Sequence, residues 1–163
     1  MLQNRIPQDS TSDEFRTVVG HFLSGVTVIT VDHGGRRYGT TASAFTSLSL
    51  DPPMVLICLN ETSETGAAVL AAGHFAVNVL AHDQEELAIR FGRKGDDKFA
   101  GLPPIPGPGD PLLPGVLATL ECDVAEHTVG GTHRVFLAAV RRAHAAPGAP
   151  LGYYRGRFGR LEG

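Results

Sequence analysis

The chain has 163 residues, a formal net charge of −3 and a pI of about 6.1. This length predicts one domain, which we place at residues 13–160 behind a polar tail at residues 1–12. With 42% hydrophobic and 19% charged residues, the composition excludes a disordered chain, and the mild negative charge argues against nucleic-acid binding. The apolar runs are too short for a membrane helix, and two cysteines are too few for a disulfide scaffold. We therefore expect a cytoplasmic protein without membrane contact.

The predicted elements are a few short helices among many strands. Ser12 can cap a first helix, and Asp83 with Glu86 resembles the capping box of a later one. The apolar face of the first helix follows from helical spacing of Phe15, Val18, Val19, Phe22 and Leu23. Runs of alternating or continuous apolar residues predict the strands. In chain order the elements are a helix from Asp13, strands Val26–Val31, Arg36–Ala42 and Met54–Leu59, a helix Ala67–Ala72, a strand Phe75–Leu80, a helix from Asp83, and β segments Val116–Val129, Thr132–His144 and Gly152–Phe158.

The connections between these elements predict the arrangement of the strands. Asp32-His33-Gly34-Gly35 and Gly130-Gly131 are turn signals of β-hairpins, which pair antiparallel strands. Residues 92–115 are rich in proline and glycine and predict a long irregular loop. Tight turns between strands favour an antiparallel barrel with helices packed outside, a mainly β (α+β) fold. The chain has neither a GxGxxG motif after a strand nor a Walker A sequence, so neither phosphate-loop architecture is supported.

Small hydroxylic residues are concentrated in two segments. The stretch from Gly39 to Ser47 offers backbone N–H groups and hydroxyls that could hold a phosphate or the polar edge of a ring. The composition alone favours the alternative, a strand edge whose hydroxyls face water. Asn60 follows a predicted buried strand, and Ser63 and Thr65 come soon after it. Either of those two hydroxyls could instead cap the next helix.

Two further segments carry cations or aromatic rings. Arg93 and Lys94 follow Phe91-Gly92 and could clamp a phosphate, although the residues alone favour a solvated helix C-terminus. The segment Tyr153-Tyr154-Arg155 could stack on a planar ring and contact an anion, or it could form an edge strand with mixed packing.

The seven histidines show no metal-ligand spacing, and Cys58 and Cys122 form no CxxC motif, so we predict no metal site. His133 differs from the other histidines because it follows a hairpin turn and begins a strand. A histidine beside a turn is more often solvent-exposed than catalytic. The chain has no GxSxG motif and no recognisable Ser-His-Asp arrangement.

Taken together, several separated segments resemble the flavin reductase-like family, the small reductase components of two-component flavin-dependent monooxygenases. The resemblance covers the chain from about Phe15 to Phe158. Its segments, in order, are Phe22–Thr30, Thr41–Pro53, Phe75–Leu80, Asp97–Gly101 and Tyr153–Gly156.

The resemblance implies a six-stranded Greek-key split β-barrel of the FMN-binding type with flanking helices. It also implies a homodimer that binds FMN or FAD, takes a hydride from NADH or NADPH, and gives reduced flavin to a separate oxygenase component. Two alternatives remain from other classes: a flavin- or haem-binding module without turnover, and an oxidoreductase that retains its FMN.

The resemblance also implies a set of site residues. His133 is the candidate catalytic residue and would lie near the nicotinamide, together with Tyr153, Tyr154 and Arg155. The flavin contacts would come from three groups of segments, comprising Gly39, Thr40, Thr41, Ala42, Ser43 and Ser47, then Cys58, Leu59, Asn60, Ser63 and Thr65, then Phe91, Arg93 and Lys94. Hydride transfer needs two stacked rings rather than an acid or base, which explains why no strong catalytic constellation stands out.

Overall fold

The computed structural model describes residues 9–95, 97–103 and 109–161. The helices in these ranges are α1 (Ser12–Val19), α2 (Glu64–Ala72) and α3 (Glu85–Gly92). The strands are β1 (Ser24–Gly25), β2 (Thr27–His33), β3 (Arg36–Ala42), β4 (Phe45–Leu50), β5 (Pro53–Asn60), β6 (His74–Val79), β7 (Ala118–Gly130), β8 (His133–Ala145), β9 (Leu151–Tyr154) and β10 (Arg157–Arg160).

All strand pairs in the described ranges are antiparallel, and they form two sheets. The larger sheet has seven strands in the order β3-β2-β6-β7-β8-β5-β4, and the smaller one has the order β1-β9-β10. The predicted mainly β, antiparallel fold is therefore confirmed. The end strands β3 and β4 are not hydrogen-bonded to each other, so no barrel is closed by pairing. Only Ser43 and Ala44 separate them along the chain.

The large sheet is covered by apolar residues on both faces. Because side chains alternate along a strand, β2 contributes Ile29 and Val31 to one core and Val28 to the other. The first core includes Ile57 and Phe136 and is covered by α2. The second core contains Phe91 of α3 and residues of the β9–β10 region. Helix α3 is thus held against the outer face of β2 and β3, beside the predicted flavin segments.

The helix ends differ in detail from the prediction. The cap of α1 is Thr11 rather than Ser12, because Thr11 and Glu14 bond reciprocally in a capping box. The capping box expected at Asp83 is wrong: α3 begins after Gln84, which makes no side-chain cap. The Gln84 amide instead bonds Ala81 N–H and the Pro114 carbonyl. Helix α1 buries none of its residues, so its predicted apolar face is exposed.

Sequence patterns missed three strands. Strand β4 begins within the hydroxyl-rich stretch and runs beyond it to Leu50. The composition of that stretch favoured a strand edge over a binding segment, but no separate strand was predicted there. Strand β1 is only two residues long. The predicted last strand is in fact the hairpin β9–β10, whose turn residues Arg155 and Gly156 have φ of 49° and 79°. Such a two-residue turn with positive φ at both positions fits the twist of an antiparallel pair.

Buried polar contacts hold the end of the long irregular segment against the sheet. The Leu113 N–H donates to Asn78 Oδ1, and Thr30 Oγ1 donates to the Pro111 carbonyl. The buried Asp110 carboxylate accepts from the Asp32 N–H and lies 2.8 Å from His74 Nδ1. The predicted irregular segment also includes residues 96 and 104–108, which lie outside the described residues, as do residues 1–8 of the predicted tail. Among the described helices, none is long and apolar enough to cross a membrane.

Candidate functional site

An open cleft of about 1090 Å³ lies where α1, the β3–β4 junction, β5 and the β9–β10 turn meet. Its lining combines hydroxyls, apolar side chains and the cations of Arg16 and Arg155, and the described lining residues include no Asp or Glu. Of the predicted site residues, the lining contains Ser43, Cys58, Tyr153 and Arg155. A cleft of this size and chemistry suits a large planar ligand that carries negative charge.

Most of the predicted β3 segment packs inside the protein rather than against the cleft. Gly39 is buried, and a Cβ on it would lie 2.5 Å from the Phe91 ring. The Thr41 hydroxyl donates to the Ala88 carbonyl of α3. Thr40 and Ala42 are on the opposite face of β3, because they pair with Ile29 and Thr27 of β2. None of these β3 side chains is among the described residues that line the cleft.

The β3–β4 junction is where this segment reaches the cleft. Ser43 is exposed there, and Thr46 rather than the predicted Ser47 lines the cleft. The reason is the alternation of side chains along β4: Thr46 pairs with the cleft residue Leu56, whereas Ser47 pairs with the buried Val55. The junction therefore offers two hydroxyls to a ligand, Ser43 and Thr46.

Strand β5 contains three of the predicted flavin-binding residues, at its C-terminal end. Cys58 is half-buried in the cleft, and burial raises the pKa of its thiol. Leu59 is 3% exposed within the first core, so its side chain is unavailable to a ligand. Asn60 is exposed on the same face as Cys58, and alternate residues of a strand are about 6.5–7 Å apart. The outer face of β5 therefore connects the cleft to Asn60.

The turn after β5 is held by local hydrogen bonds. Asn60 Oδ1 accepts from the N–H and the hydroxyl of Thr62, at 2.9 and 2.8 Å. Ser63 caps α2 by accepting from the Gly66 N–H, which confirms the capping interpretation of this hydroxyl. Thr65 is 4% exposed and is not accessible to a ligand. The exposed polar side chains of this turn are those of Asn60, Glu61 and Thr62.

The β7–β8 hairpin brings His133 beside Asn60. The two residues are paired across β5 and β8, and the His133 Nδ1 atom lies 3.0 Å from the Thr132 hydroxyl. Arg134 fixes the hairpin by a two-pronged contact with the Glu61 carboxylate, at 2.9 and 3.2 Å. His133 is exposed and is not among the described residues that line the cleft. Its partner Asn60 lies two residues beyond the cleft residue Cys58 along β5.

The predicted tail segment divides between two sides of β9. Tyr153 lines the cleft and packs against Phe158, with ring centroids 5.3 Å apart. Arg155 also lines the cleft, and its N–H donates to the Gly20 carbonyl at the end of α1. Tyr154 points to the other side of the strand, where it makes an edge contact with His21.

The predicted phosphate segment at the end of α3 is partly structural. Phe91 is fully buried and packs edge-on against Phe99 at 5.0 Å between centroids. Arg93 and Lys94 are exposed just beyond the helix. Three residues were not among the predicted site residues: Arg16 and Thr46, which line the cleft, and Lys98, which lies between α3 and β3. Thr46 belongs to the hydroxyl-rich stretch and Lys98 to a segment of the family resemblance, so a signal for both was present. No local pattern marks Arg16, which tertiary packing places in the cleft.

Comparisons with known proteins identify relatives that match nearly the whole chain. The family model "Flavin reductase like domain" matches residues 19–162. The reductase component of a 4-nitrophenol 4-monooxygenase/4-nitrocatechol 2-monooxygenase from Rhodococcus opacus is 49% identical over 158 residues, which is 97% of this chain and 85% of that protein. The FMN reductase (NADH) SmoA of Agrobacterium fabrum is 39% identical over 96% of this chain and 90% of its own length.

A solved structure shows the same fold. The NADH:FAD oxidoreductase SgcE6 of Streptomyces globisporus superposes with a TM-score of 0.88 at 35% identity, covering 96% of each chain. The family model spans most of the chain, and the Rhodococcus opacus relative is 49% identical over nearly all of it, which shows common family membership as well as a common fold. The chain therefore belongs to the flavin reductase like domain family.

Proposed function

We propose that this protein is an NAD(P)H-dependent flavin reductase, which transfers a hydride from NADH or NADPH to FMN or FAD and passes the reduced flavin to a separate monooxygenase. The cleft carries this proposal. Its lining includes the hydroxyls of Ser43 and Thr46, the thiol of Cys58, and the side chains of Tyr153 and Arg155. The relatives named as a monooxygenase reductase component, an FMN reductase (NADH) and an NADH:FAD oxidoreductase support the same activity.

The residues of the cleft fit a flavin and a nicotinamide nucleotide. When bound, the flavin supplies the electron acceptor, and the protein supplies position and electrostatics. The Ser43 and Thr46 hydroxyls would bond the polar edge of the ring, where negative charge develops on reduction. Tyr153 would pack against a planar ring, and Arg16 and Arg155 would hold phosphate groups. Asn60 and His133, which are paired with each other beyond Cys58, would position the nicotinamide nucleotide.

We also propose that the large sheet curls into the six-stranded Greek-key split barrel of the family, in one domain over residues 13–160. The continuity of β3 and β4 supports this. If these two strands are counted as one bent strand, its β3 part pairs with β2 and its β4 part pairs with β5. The order β2-β6-β7-β8-β5 then begins and ends at the same strand. A bent strand shared between two pairings would close the barrel through the chain itself.

A homodimer is the proposed assembly. Helix α1 leaves Phe15 and Val18 at 64% and 70% exposure, Phe22 just beyond the helix is 82% exposed, and Leu50 at the end of β4 is 91% exposed. Apolar surface of this kind is typical of protein interfaces. Sedimentation at micromolar concentration tests the proposal, and a monomer there would contradict it. We place the protein in the cytoplasm, because its two free thiols suit a reducing compartment; cell fractionation tests this location.

The activity is tested by NADH and NADPH oxidation with added FMN and FAD, in all four combinations. A reductase turns over flavin added in large excess. A binding module shows no turnover, and an oxidoreductase that retains its FMN stays coloured through gel filtration and does not reduce free flavin. Ala44→Trp, which puts an indole ring into the cleft, should strongly reduce turnover. Ala67→Trp, the same change at an exposed position of α2 outside the cleft lining, is the matched control.

A further inference from the structure

Lys98 joins two segments that sequence places in the flavin site. Its Nζ donates to the Gly39 carbonyl of β3 at 2.9 Å and to the Phe91 carbonyl of α3 at 3.0 Å. The side chain is half-buried, and no other described side chain donates to both β3 and α3. The ammonium group thus lies between strand and helix rather than in solvent.

The chemistry of the two carbonyls explains why a cation lies there. Phe91 is in the last turn of α3, where carbonyls have no partner within the helix and the helix dipole attracts positive charge. Gly39 is on β3, an end strand of the sheet that pairs only with β2. Hydrogen bonds from a charged donor are stronger than those between neutral groups. Burial lowers the pKa of Lys98, against the opposing effect of the Glu64 carboxylate, which shows that the amine is partly desolvated.

The surrounding packing makes the spacing between β3 and α3 sensitive to this lysine. The Phe91 ring fills the space where a Gly39 side chain would be, and Phe99 packs edge-on against that ring and also reaches within 3.3 Å of the same space. The Thr41 hydroxyl supplies a second tie, to Ala88. Beyond these contacts, β3 continues into the Ser43 junction of the cleft, and α3 continues into the exposed Arg93.

We propose that Lys98 is a positioning residue for flavin binding, which holds β3 against α3 and so fixes the β3–β4 junction that lines the cleft. Lys98 acts through the backbone rather than by touching the flavin. It holds in place the strand that continues into Ser43, so that the hydroxyls of the junction stay in position to contact the ring. This inference rests on the proposed function, because it deepens the description of the same flavin site.

The experiment compares Lys98→Met with Arg90→Met and Lys98→Arg. Arg90 is the matched control, because its Nη1 also ties α3 to the following turn, at 3.2 Å from the Ala100 carbonyl, but it does not reach β3. Lys98→Arg keeps a cation with two or more donors. For each variant, the Kd of FMN and FAD is measured by titration, the melting temperature is recorded without flavin, and kcat and the KM for flavin are measured with NADH.

We expect Lys98→Met to raise the flavin Kd and KM about tenfold, with kcat at saturating flavin within about twofold of the wild type. Arg90→Met should leave the flavin Kd within about twofold, and Lys98→Arg should restore it to within about threefold. A role in stability alone would lower the melting temperature of Lys98→Met and leave its flavin Kd unchanged, which would overturn the proposal. Equal losses in Lys98→Met and Arg90→Met would also overturn it.

The experiment also distinguishes a folding failure of the variant from a failure of the proposed function. If Lys98→Met does not fold, Lys98→Gln takes its place; its shorter neutral side chain can reach at most one carbonyl, so the same direction of change in Kd is expected and its absence contradicts the proposal. If the wild-type protein neither binds nor reduces flavin, the proposed function fails, and the role of Lys98 fails with it. Normal wild-type turnover with an unchanged Kd in the Lys98 variants leaves the function intact and removes only this inference.

Discussion

Asn60 and His133 are paired directly across strands β5 and β8, at the point where the β7–β8 hairpin turns. The pairing brings together two residues that are 73 positions apart in the chain. Both side chains are exposed, and Asn60 is on the face of β5 that also carries the cleft residue Cys58. The contact that we propose for this pair is with the nicotinamide nucleotide.

Replacement of His133 should therefore weaken the use of the nicotinamide nucleotide. We expect His133→Ala to raise the KM for NADH or slow hydride transfer by the equivalent of about 1–3 kcal/mol at most, because one hydrogen-bonding group is lost. Flavin affinity should change little. Stopped-flow reduction of bound flavin and a flavin titration measure the two effects. His144→Ala, an exposed histidine near the far end of β8, should change neither; equal behaviour of the two variants would remove His133 from the site.

The contact between Glu61 and Arg134 should stabilise the hairpin that carries His133. Both prongs are within hydrogen-bond distance, and the Arg134 side chain is only 21% exposed. We expect Glu61→Gln to lower the free energy of unfolding by about 0.5–1 kcal/mol, measured by urea denaturation. Arg142→Gln breaks a longer contact of 3.6 Å with Glu121 at an 82% exposed side chain. Its effect should be below about 0.3 kcal/mol, and a larger loss there than in Glu61→Gln would contradict this ranking.

Local signals in the sequence identified the helix ends and turns whose conformation depends on residues adjacent in the chain. Ser63 as a helix cap and Gly73 as a helix end are both present in the structure. The hairpin predicted at Gly130-Gly131 is also present, but its turn lies one residue later, at Gly131 and Thr132, because Gly130 still pairs with His133. Each follows from the conformation or hydrogen bonding of a few consecutive residues. The same reasoning failed at Asp83, because the Gln84 side chain that replaces the cap bonds a segment 30 residues further along.

In contrast, adjacent residues could not predict whether a given hydroxyl is bonded within the protein or exposed in the cleft. Thr41 and Thr46 belong to the same hydroxyl-rich stretch, yet Thr41 is bonded to α3 and Thr46 lines the cleft. Which of them is available depends on the face of the strand and on a helix that packs against it from 47 residues away. The family resemblance pointed to this stretch, and the alternation of side chains decides which of its residues line the cleft.

Gly39 is required by the approach of the Phe91 ring rather than by a turn. We expect Gly39→Ala to destabilise the protein by roughly 1–3 kcal/mol, because its Cβ would be 2.5 Å from a ring atom. Phe91→Leu should cost stability on its own, but the double variant should be less unstable than the sum of the two changes. Chemical denaturation of all four proteins measures this coupling. Gly159→Ala, with open space around the added Cβ, should change stability by less than about 0.5 kcal/mol. Strict additivity at Gly39 and Phe91 would show that the close contact does not limit stability.

Cys58 provides a direct measure of ligand binding in the cleft. Because burial raises the pKa of its thiol, the reactive thiolate is scarcer at neutral pH than in a free cysteine. We expect slow alkylation at pH 7 that accelerates about tenfold per pH unit until the raised pKa is reached. Cys122 is fully buried and burial raises its pKa to about 12, so it should not react in the folded protein. Cys58→Ala should therefore abolish alkylation under native conditions.

Saturating FMN or FAD should slow the alkylation of Cys58 at least about tenfold, because a ligand in the cleft covers the half-buried thiol. The same flavin should raise the melting temperature, since a ligand that binds only the folded state stabilises it by about 2.7 kcal/mol at one hundred times its Kd. A Cys58→Ala/Ala67→Cys variant moves the thiol to an exposed position on α2, outside the cleft lining, where flavin should give no protection. Protection at both positions would indicate a general effect of flavin on the reagent. A raised melting temperature without protection of Cys58 would place the flavin away from this cleft.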